Sequence, residues 1–141
     1  GEAPDPMAVE TFNNSTLQWN LPGIEPHSTM LRFYKELISI RKKYTALSKL
    51  NRKNLYVAHD ESGQTVTLRR TDGDQQVVCL MNFSTKSQEV ELPATAVPWH
   101  KLLASSDPQW GGQKSIPESV AGKSLLTLPA ESFTLYINQN E

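Results

Sequence analysis

The sequence predicts a mainly β fold: an antiparallel β-sandwich preceded by an irregular segment and one long α-helix. Three observations carry this. Residues 75–83, QQVVCLMNF, form the most continuously apolar run of the chain. The segment just after Pro26 repeats apolar residues every three or four positions. From residue 54 onward the repeat drops to two, interrupted by turn residues at hairpin spacing.

The central run needs cover on both sides. Val77, Cys79, Met81 and Phe83 share one face of such a strand and Val78 and Leu80 the other. A strand with one wet face alternates apolar with polar, and this one does not. It belongs in the interior of a sheet, with Cys79 packed as a small hydrophobe.

In chain order, residues 1–27 hold four prolines, paired asparagines and no clear period. That predicts irregular structure, too long for an ordinary loop. Phe12, Leu17, Trp19 and Leu21 give it more apolar surface than a solvated tail carries. The helix is expected over Ser28–Tyr44, started by Pro26 and capped by the Ser28 hydroxyl. Its stripe of Leu31, Phe33, Tyr34, Leu37, Ile38 and Ile40 is wide enough for two neighbours. Arg41, Lys42 and Lys43 suit the negative end of the helix dipole.

Strands follow. Leu55, Val57 and His59 alternate with Tyr56 and Ala58, and Glu61–Gly63 turns the chain. Val66 and Leu68 face inward from a half-exposed strand. Thr71–Asp74, TDGD, is a hairpin turn leading into the central run. Val90 and Leu92 alternate with Glu89 and Glu91. WHKLLAS is a short strand beginning at a core tryptophan, Trp99, and a long loop spans Ser105–Gly122. SLLTLP and SFTLYIN close the domain around Pro129 and Ala130. Seven or eight such strands imply a sandwich or barrel.

Composition excludes several function classes. With 141 residues and 38% hydrophobic content the chain can build one core, and 14 basic against 15 acidic residues leave a net charge of -1. No electrostatic pull on nucleic acid or an anionic membrane follows from that balance. The single cysteine forbids an internal disulfide or a cysteine-based metal cluster. No run spans a bilayer and no secretory signal pattern opens the sequence, which is compatible with the cytoplasm.

A search for chemistry finds no catalytic set. His27, His59 and His100 lack metal-ligand spacing, so no metal or other cofactor is expected. No phosphate loop or nucleophile elbow occurs. Asp60, Glu61, Asp72 and Asp74 sit in turns where solvent keeps carboxylates ordinary, and Asp107 precedes Pro108 as a loop cap. Tryptophans remain as candidates for stacking on a sugar ring. Trp110, in a glycine-flanked loop, is the best placed for a sugar platform, weighed against folding back onto the sheet.

Three segments together carry a family likeness. MLRFYKELISIRKKYTAL (30–47) resembles the last barrel helix of the α-amylase superfamily. WHKLLASSDPQWGG (99–112) resembles the strand-to-loop stretch of the same enzymes' C-terminal β domain. PDPMAVETFNNSTLQWN (4–20) is similar to the segment after the eighth barrel strand in malto-oligosyltrehalose trehalohydrolases and, less specifically, branching enzymes. Met7–Val9 and Gln18 depart from that last pattern. The resemblance implies residues 1–50 as a late loop and final helix of a catalytic barrel and 51–141 as a C-terminal β-sandwich domain. It places the catalytic carboxylates upstream, leaves this fragment inactive, and puts Phe12 and Trp19 near the substrate cleft of the intact enzyme. The implied partners are the barrel of the same polypeptide and an α-glucan or maltooligosaccharide; the implied reaction is hydrolysis of the α-1,4 linkage next to a terminal trehalose. Separated from its barrel, the apolar helix face is expected to drive oligomer formation. The alternatives are an autonomous carbohydrate-binding β-sandwich module, or the C-terminal region of a glucan branching enzyme or α-amylase.

Overall fold

The computed structural model describes residues 3–49 and 51–139. Its centre is a six-stranded antiparallel sheet built from β1 (Leu55–Asp60), β2 (Thr65–Asp72), β3 (Gln75–Asn82), β5 (Trp99–Ala104), β6 (Ser119–Val120) and β8 (Ser132–Gln139), in the order β1-β2-β3-β8-β5-β6. A second sheet pairs β4 (Gln88–Glu91) with β7 (Leu125–Leu128). The helices are α1 (Val9–Asn14), α2 (His27–Lys43) and α3 (Thr45–Ser48).

β3, the strand drawn from residues 75–83, is interior: it pairs with β2 on one side and β8 on the other. Its two apolar faces feed two cores. Val78 and Leu80 pack with Val90, Leu92, Trp99, Leu126, Leu128 and Tyr136 between the two sheets. Val77 and Cys79 pack with Ile40, Ala46, Leu103, Leu135 and Ile137 beneath the helices. The layers are therefore helix, large sheet, small sheet. Phe83 departs from the expectation: β3 ends at Asn82, and Phe83 stands 63% exposed in the following turn.

α2 has the predicted length to within a residue at each end but a different start. Pro26 occupies the cap position and no hydroxyl caps the helix. The Glu25 carboxylate does the work instead, accepting from the Thr29 amide at 3.3 Å. A carboxylate at the positive end of the helix dipole is favourable. Residues expected to be irregular include the short helix α1, whose residues are all at or near the surface.

The helical layer is tied to the sheet at its C-terminal end. The Gln75 side chain accepts from the Ala46 amide at 3.0 Å, and Arg70 donates to the carbonyls of Leu47 and Lys49. Lys49 reaches Asp72 at 2.8 Å. The β2–β3 turn has Gly73 at φ 57°, the left-handed conformation a two-residue hairpin loop requires at its first central position. β5 carries a bulge between Lys101 and Leu103. Lys101 lies opposite Tyr136 and Leu103 opposite Leu135, so residues two apart end up on opposite faces.

Candidate functional site

The three aromatic candidates lie in two places. Phe12, on α1, is 74% exposed and Trp19, in the connection after it, is 82% exposed. Trp110 closes a short 3-10 turn, Pro108–Trp110, and meets Phe33 of α2 edge-on at 5.3 Å between ring centroids. It is half-buried among the residues under the helices. Its indole N–H is buried and has no partner among the described residues. A recess of about 330 Å³ lies beside it, between the first turns of α2 (Thr29, Met30, Phe33) and Gly111, with Glu25 at its rim. Hydrogen bonds from Ser28 and Thr29 hold the Glu25 carboxyl below its ordinary range. Phe12 and Trp19 do not line this recess.

The carboxylates are engaged by their own surroundings. Asp60 accepts from the Ser62 hydroxyl at 2.7 Å and from the amides of Ser62 and Gly63, which lowers its pKa. Asp72 is lowered chiefly by its hydrogen bond from Lys49. Solvent alone therefore does not keep these two ordinary, as position in a turn had suggested; local donors depress them. Cys79 is buried and its thiol is pushed up to about 12 by that burial, which leaves it an inert packing group. His27, His59 and His100 lie on separate elements, and no group of three or more metal-ligating side chains forms among the described residues. No helix of the described residues is long and apolar enough to cross a membrane.

One charged cluster went unseen at the level of sequence. Lys101, on β5, points between the sheets with its side chain 8% exposed. Its ammonium reaches Asp107 at 3.0 Å and Glu118 at 2.7 Å and donates to the Ile116 carbonyl at 3.1 Å. The Asp107 side chain is 9% exposed, whereas that of Glu118 is largely in solvent. Beside them the Tyr136 hydroxyl donates to the Pro117 carbonyl at 2.6 Å. This set pins the 105–118 loop against the sandwich. The signal was available: Lys101 follows the core residue Trp99 by two positions in a strand, which aims it inward, and a buried ammonium needs an anion. Asp107, expected as a loop cap, is that anion.

The largest unsatisfied feature is apolar surface. α2 carries two stripes. Phe33, Leu37, Ile40 and Tyr44 pack on the sheet, while Met30, Leu31, Tyr34 and Ile38 face outward and are exposed. Alongside α2, an open groove of about 530 Å³ runs over Leu55, Leu68 and Met81, with Arg41 and Arg52 at its edge. Arg70 and Cys79 also line this groove; exposed apolar surface of this extent is characteristic of contact with another apolar surface.

Comparison with known proteins identifies the scaffold. The family described as "Domain of unknown function (DUF3459)" matches residues 53–135. The malto-oligosyltrehalose trehalohydrolase of Deinococcus radiodurans is 35% identical over 105 residues, covering 72% of this chain and 17% of the relative. That of Rhizobium sp. (strain M-11) is 33% identical over 104 residues, covering 74% and 16%. The chain thus spans about a sixth of the length of these curated relatives. Among solved structures, the trehalulose synthase of Pseudomonas mesoacidophila MX-45 superposes with a TM-score of 0.56 at 22% identity, over 87% of this chain and 21% of that one. The isomaltulose synthase of Klebsiella sp. LX3 gives 0.57 at 19%, over 77% and 17%. These two matches speak for the fold alone. The chain belongs to the DUF3459 family and is a C-terminal domain of the α-amylase superfamily, related to malto-oligosyltrehalose trehalohydrolase.

Proposed function

We propose that this chain is the non-catalytic C-terminal part of an α-glucan-acting enzyme that hydrolyses the α-1,4 linkage next to the terminal trehalose of maltooligosyltrehalose. In this reading residues 1–50 belong with a catalytic barrel, as its late loop and final helix, and residues 51–141 are the supporting β-sandwich. The carboxylates that do the chemistry lie on the barrel. Phe12 and Trp19 then stand near the substrate cleft of the whole enzyme, which their exposure leaves them free to do.

The observation that carries this reading is the double stripe of α2. One stripe is spent on the sheet, and the other, Leu31, Tyr34 and Ile38, remains apolar and uncovered among the described residues. Burying such a stripe against a barrel stabilises at roughly 25 cal/mol per Å² of apolar surface. The choice of trehalohydrolase over another α-glucan enzyme is supported by the identity to the Deinococcus and Rhizobium proteins.

A chimera tests it. The C-terminal part of the Deinococcus radiodurans relative is replaced by this chain, and trehalose release from maltooligosyltrehalose is measured against the relative truncated at the same point. Activity is expected from the chimera and none from this chain alone. Turnover by the isolated chain, or a soluble chimera no more active than the truncation, would overturn the proposal.

A further inference from the structure

A trough runs around one end of the sandwich, away from α2's outer stripe, and nothing in the support role above uses it. Three adjoining hollows make it up. The middle one, about 390 Å³, lies among the turn after β3, the Ser105–Lys114 loop and the turn before β8. It shares Glu131 and Ser132 with a hollow of about 310 Å³ beneath Phe83 and Phe133. On the other side it shares Ser87, Lys114 and Pro129 with a third, about 390 Å³, beside Leu125. The size of each falls in the range of small-molecule sites, roughly 300–1,000 Å³, and the residues they share set them side by side, an arrangement that suits a linear ligand.

The lining has a definite chemistry. Thr85, Ser87 and Gln113 bring neutral hydroxyl and amide groups to the middle hollow, while the Ser105 hydroxyl is bonded to the Phe133 backbone. It has one cation, Lys114, and one carboxylate, Glu131, and neither makes an ion pair among the described residues. A site with one charge of each sign does not select an anion or a cation. Phe83, 63% exposed on a turn where no core contact needs it, supplies an aromatic face at one end, and the exposed Leu125 supplies an apolar patch at the other. Neutral hydroxyl partners between apolar faces are what a sugar chain needs, since its rings present C–H faces and its edges present hydroxyls.

Two backbone features shape the hollows. Glu131 adopts φ 49°, a left-handed backbone that non-glycine residues rarely take, in the turn that lines two of the hollows. Strain of this kind concentrates at binding sites. Gly112 lets the loop lie directly on the Ser106 carbonyl, where any Cβ would collide, and so holds the floor in place.

We infer that this trough is a binding site for a neutral polyhydroxylated chain, an α-linked glucan, held by Phe83 at one end and by Glu131, Lys114 and the Thr85 and Ser87 hydroxyls in the middle. The choice of an α-linked chain rests on the function proposed above; the site itself does not. The contact would hold the glucan chain of the substrate away from the cleft.

The test is a two-dimensional NMR titration of this chain with maltoheptaose, with cellohexaose and inorganic phosphate as separate arms. Amide shifts are expected at 83–87, 105–106, 112–114 and 131–132 with maltoheptaose, and little change with the other two. Phe83→Ala should weaken binding about tenfold, and Glu131→Gly, which suits the left-handed backbone, should weaken it severalfold. Both sites are exposed, so thermal melts of the two variants should match the parent. Maltoheptaose shifts at Trp110 or Trp19 in place of the trough, no shifts at all, or unchanged affinity in both variants would overturn the site. Shifts at the trough from phosphate alone would overturn the ligand class, and equal shifts from cellohexaose would overturn the α-linked assignment. None of these outcomes depends on the chimera, so the two proposals fail separately.

Discussion

Replacing Lys101 by methionine removes the cation from the buried charge cluster and leaves Asp107 without its partner. The size of the effect follows from burial. Both the Lys101 and Asp107 side chains are less than a tenth exposed, at 3.0 Å, so this is a desolvated pair. Breaking one by deleting a single partner costs about 3–5 kcal/mol. Glu118 also bonds the ammonium, at 2.7 Å, but its side chain is 81% exposed, so solvent screens its share of the pair's stability. For a chain of this length about 4 °C of Tm goes with each kcal/mol, so K101M should melt roughly 12–20 °C lower. The double variant K101M/D107L removes both charges and should recover much of that loss. Alkali gives an independent reading. Burial works to lower the Lys101 pKa, but hydrogen bonds from Lys101 to Glu118 and Asp107 outweigh it and raise the value above 10.5. A raised lysine stabilises fully below its unfolded value and loses that stabilisation as pH climbs through the folded one. The parent should therefore lose stability above about pH 10.5 more steeply than K101M. Urea melts across pH measure both effects. A K101M variant within about 1 kcal/mol of the parent would show that the pair is no more than a surface contact.

Other expectations follow from the same geometry. At low pH the depressed carboxyls of Asp60 and Asp72 contribute stability above the ordinary value of 3.8 and lose it as pH falls through their lower folded values; D60N/D72N should flatten urea midpoints in that window, and an unchanged acid limb would contradict this. Tyr34→Lys with Ile38→Lys should reduce self-association in sedimentation velocity without lowering the Tm, because both side chains are more than half exposed. Trp110→Ala should cost about 3 kcal/mol, while Trp110→Phe should cost under about 1 kcal/mol, since it keeps a ring against Phe33 and removes an unpartnered buried N–H. Cys79 should resist Ellman's reagent in native buffer and react once unfolded, its thiol lying at about 12 and buried; stoichiometric labelling of the native chain would refute its packing role.

Much of the architecture was legible because it rests on hydrophobic period. The two-sided apolarity of residues 75–82 required layers on both faces, and helix and small sheet supply them. The TDGD turn, Trp99 as a core residue and the width of the α2 stripe follow from the same physics. What escaped depends on long-range or irregular geometry. The bulge after Lys101 inverts the alternation of β5, so Leu103 joins the helix-side core while Trp99 joins the other, and no period reveals an inserted residue. Ser28 looked like a cap because hydroxyls are good caps; Glu25 takes the role through a backbone path that residue types do not encode. The trough joins turns separated by up to about 50 residues, namely 83–87, 105–114 and 129–132, and each of its serines is unremarkable in its own segment.

The position of β8 has a consequence for how the chain comes to be folded. It is the last of the described strands and yet it fills the middle of the large sheet, between β3 and β5. Until residues 132–139 arrive, β3 has an open edge of hydrogen-bonding groups flanked by the most apolar residues of the chain, and β5 has no neighbour but the two-residue β6. During synthesis, at about 5–20 residues per second, that edge waits several seconds after β3 has emerged. Such an edge is a template for pairing with another chain. The domain is thus most prone to aggregate before β8 is made, and C-terminal shortening into β8 should lower soluble yield far more than shortening before α2.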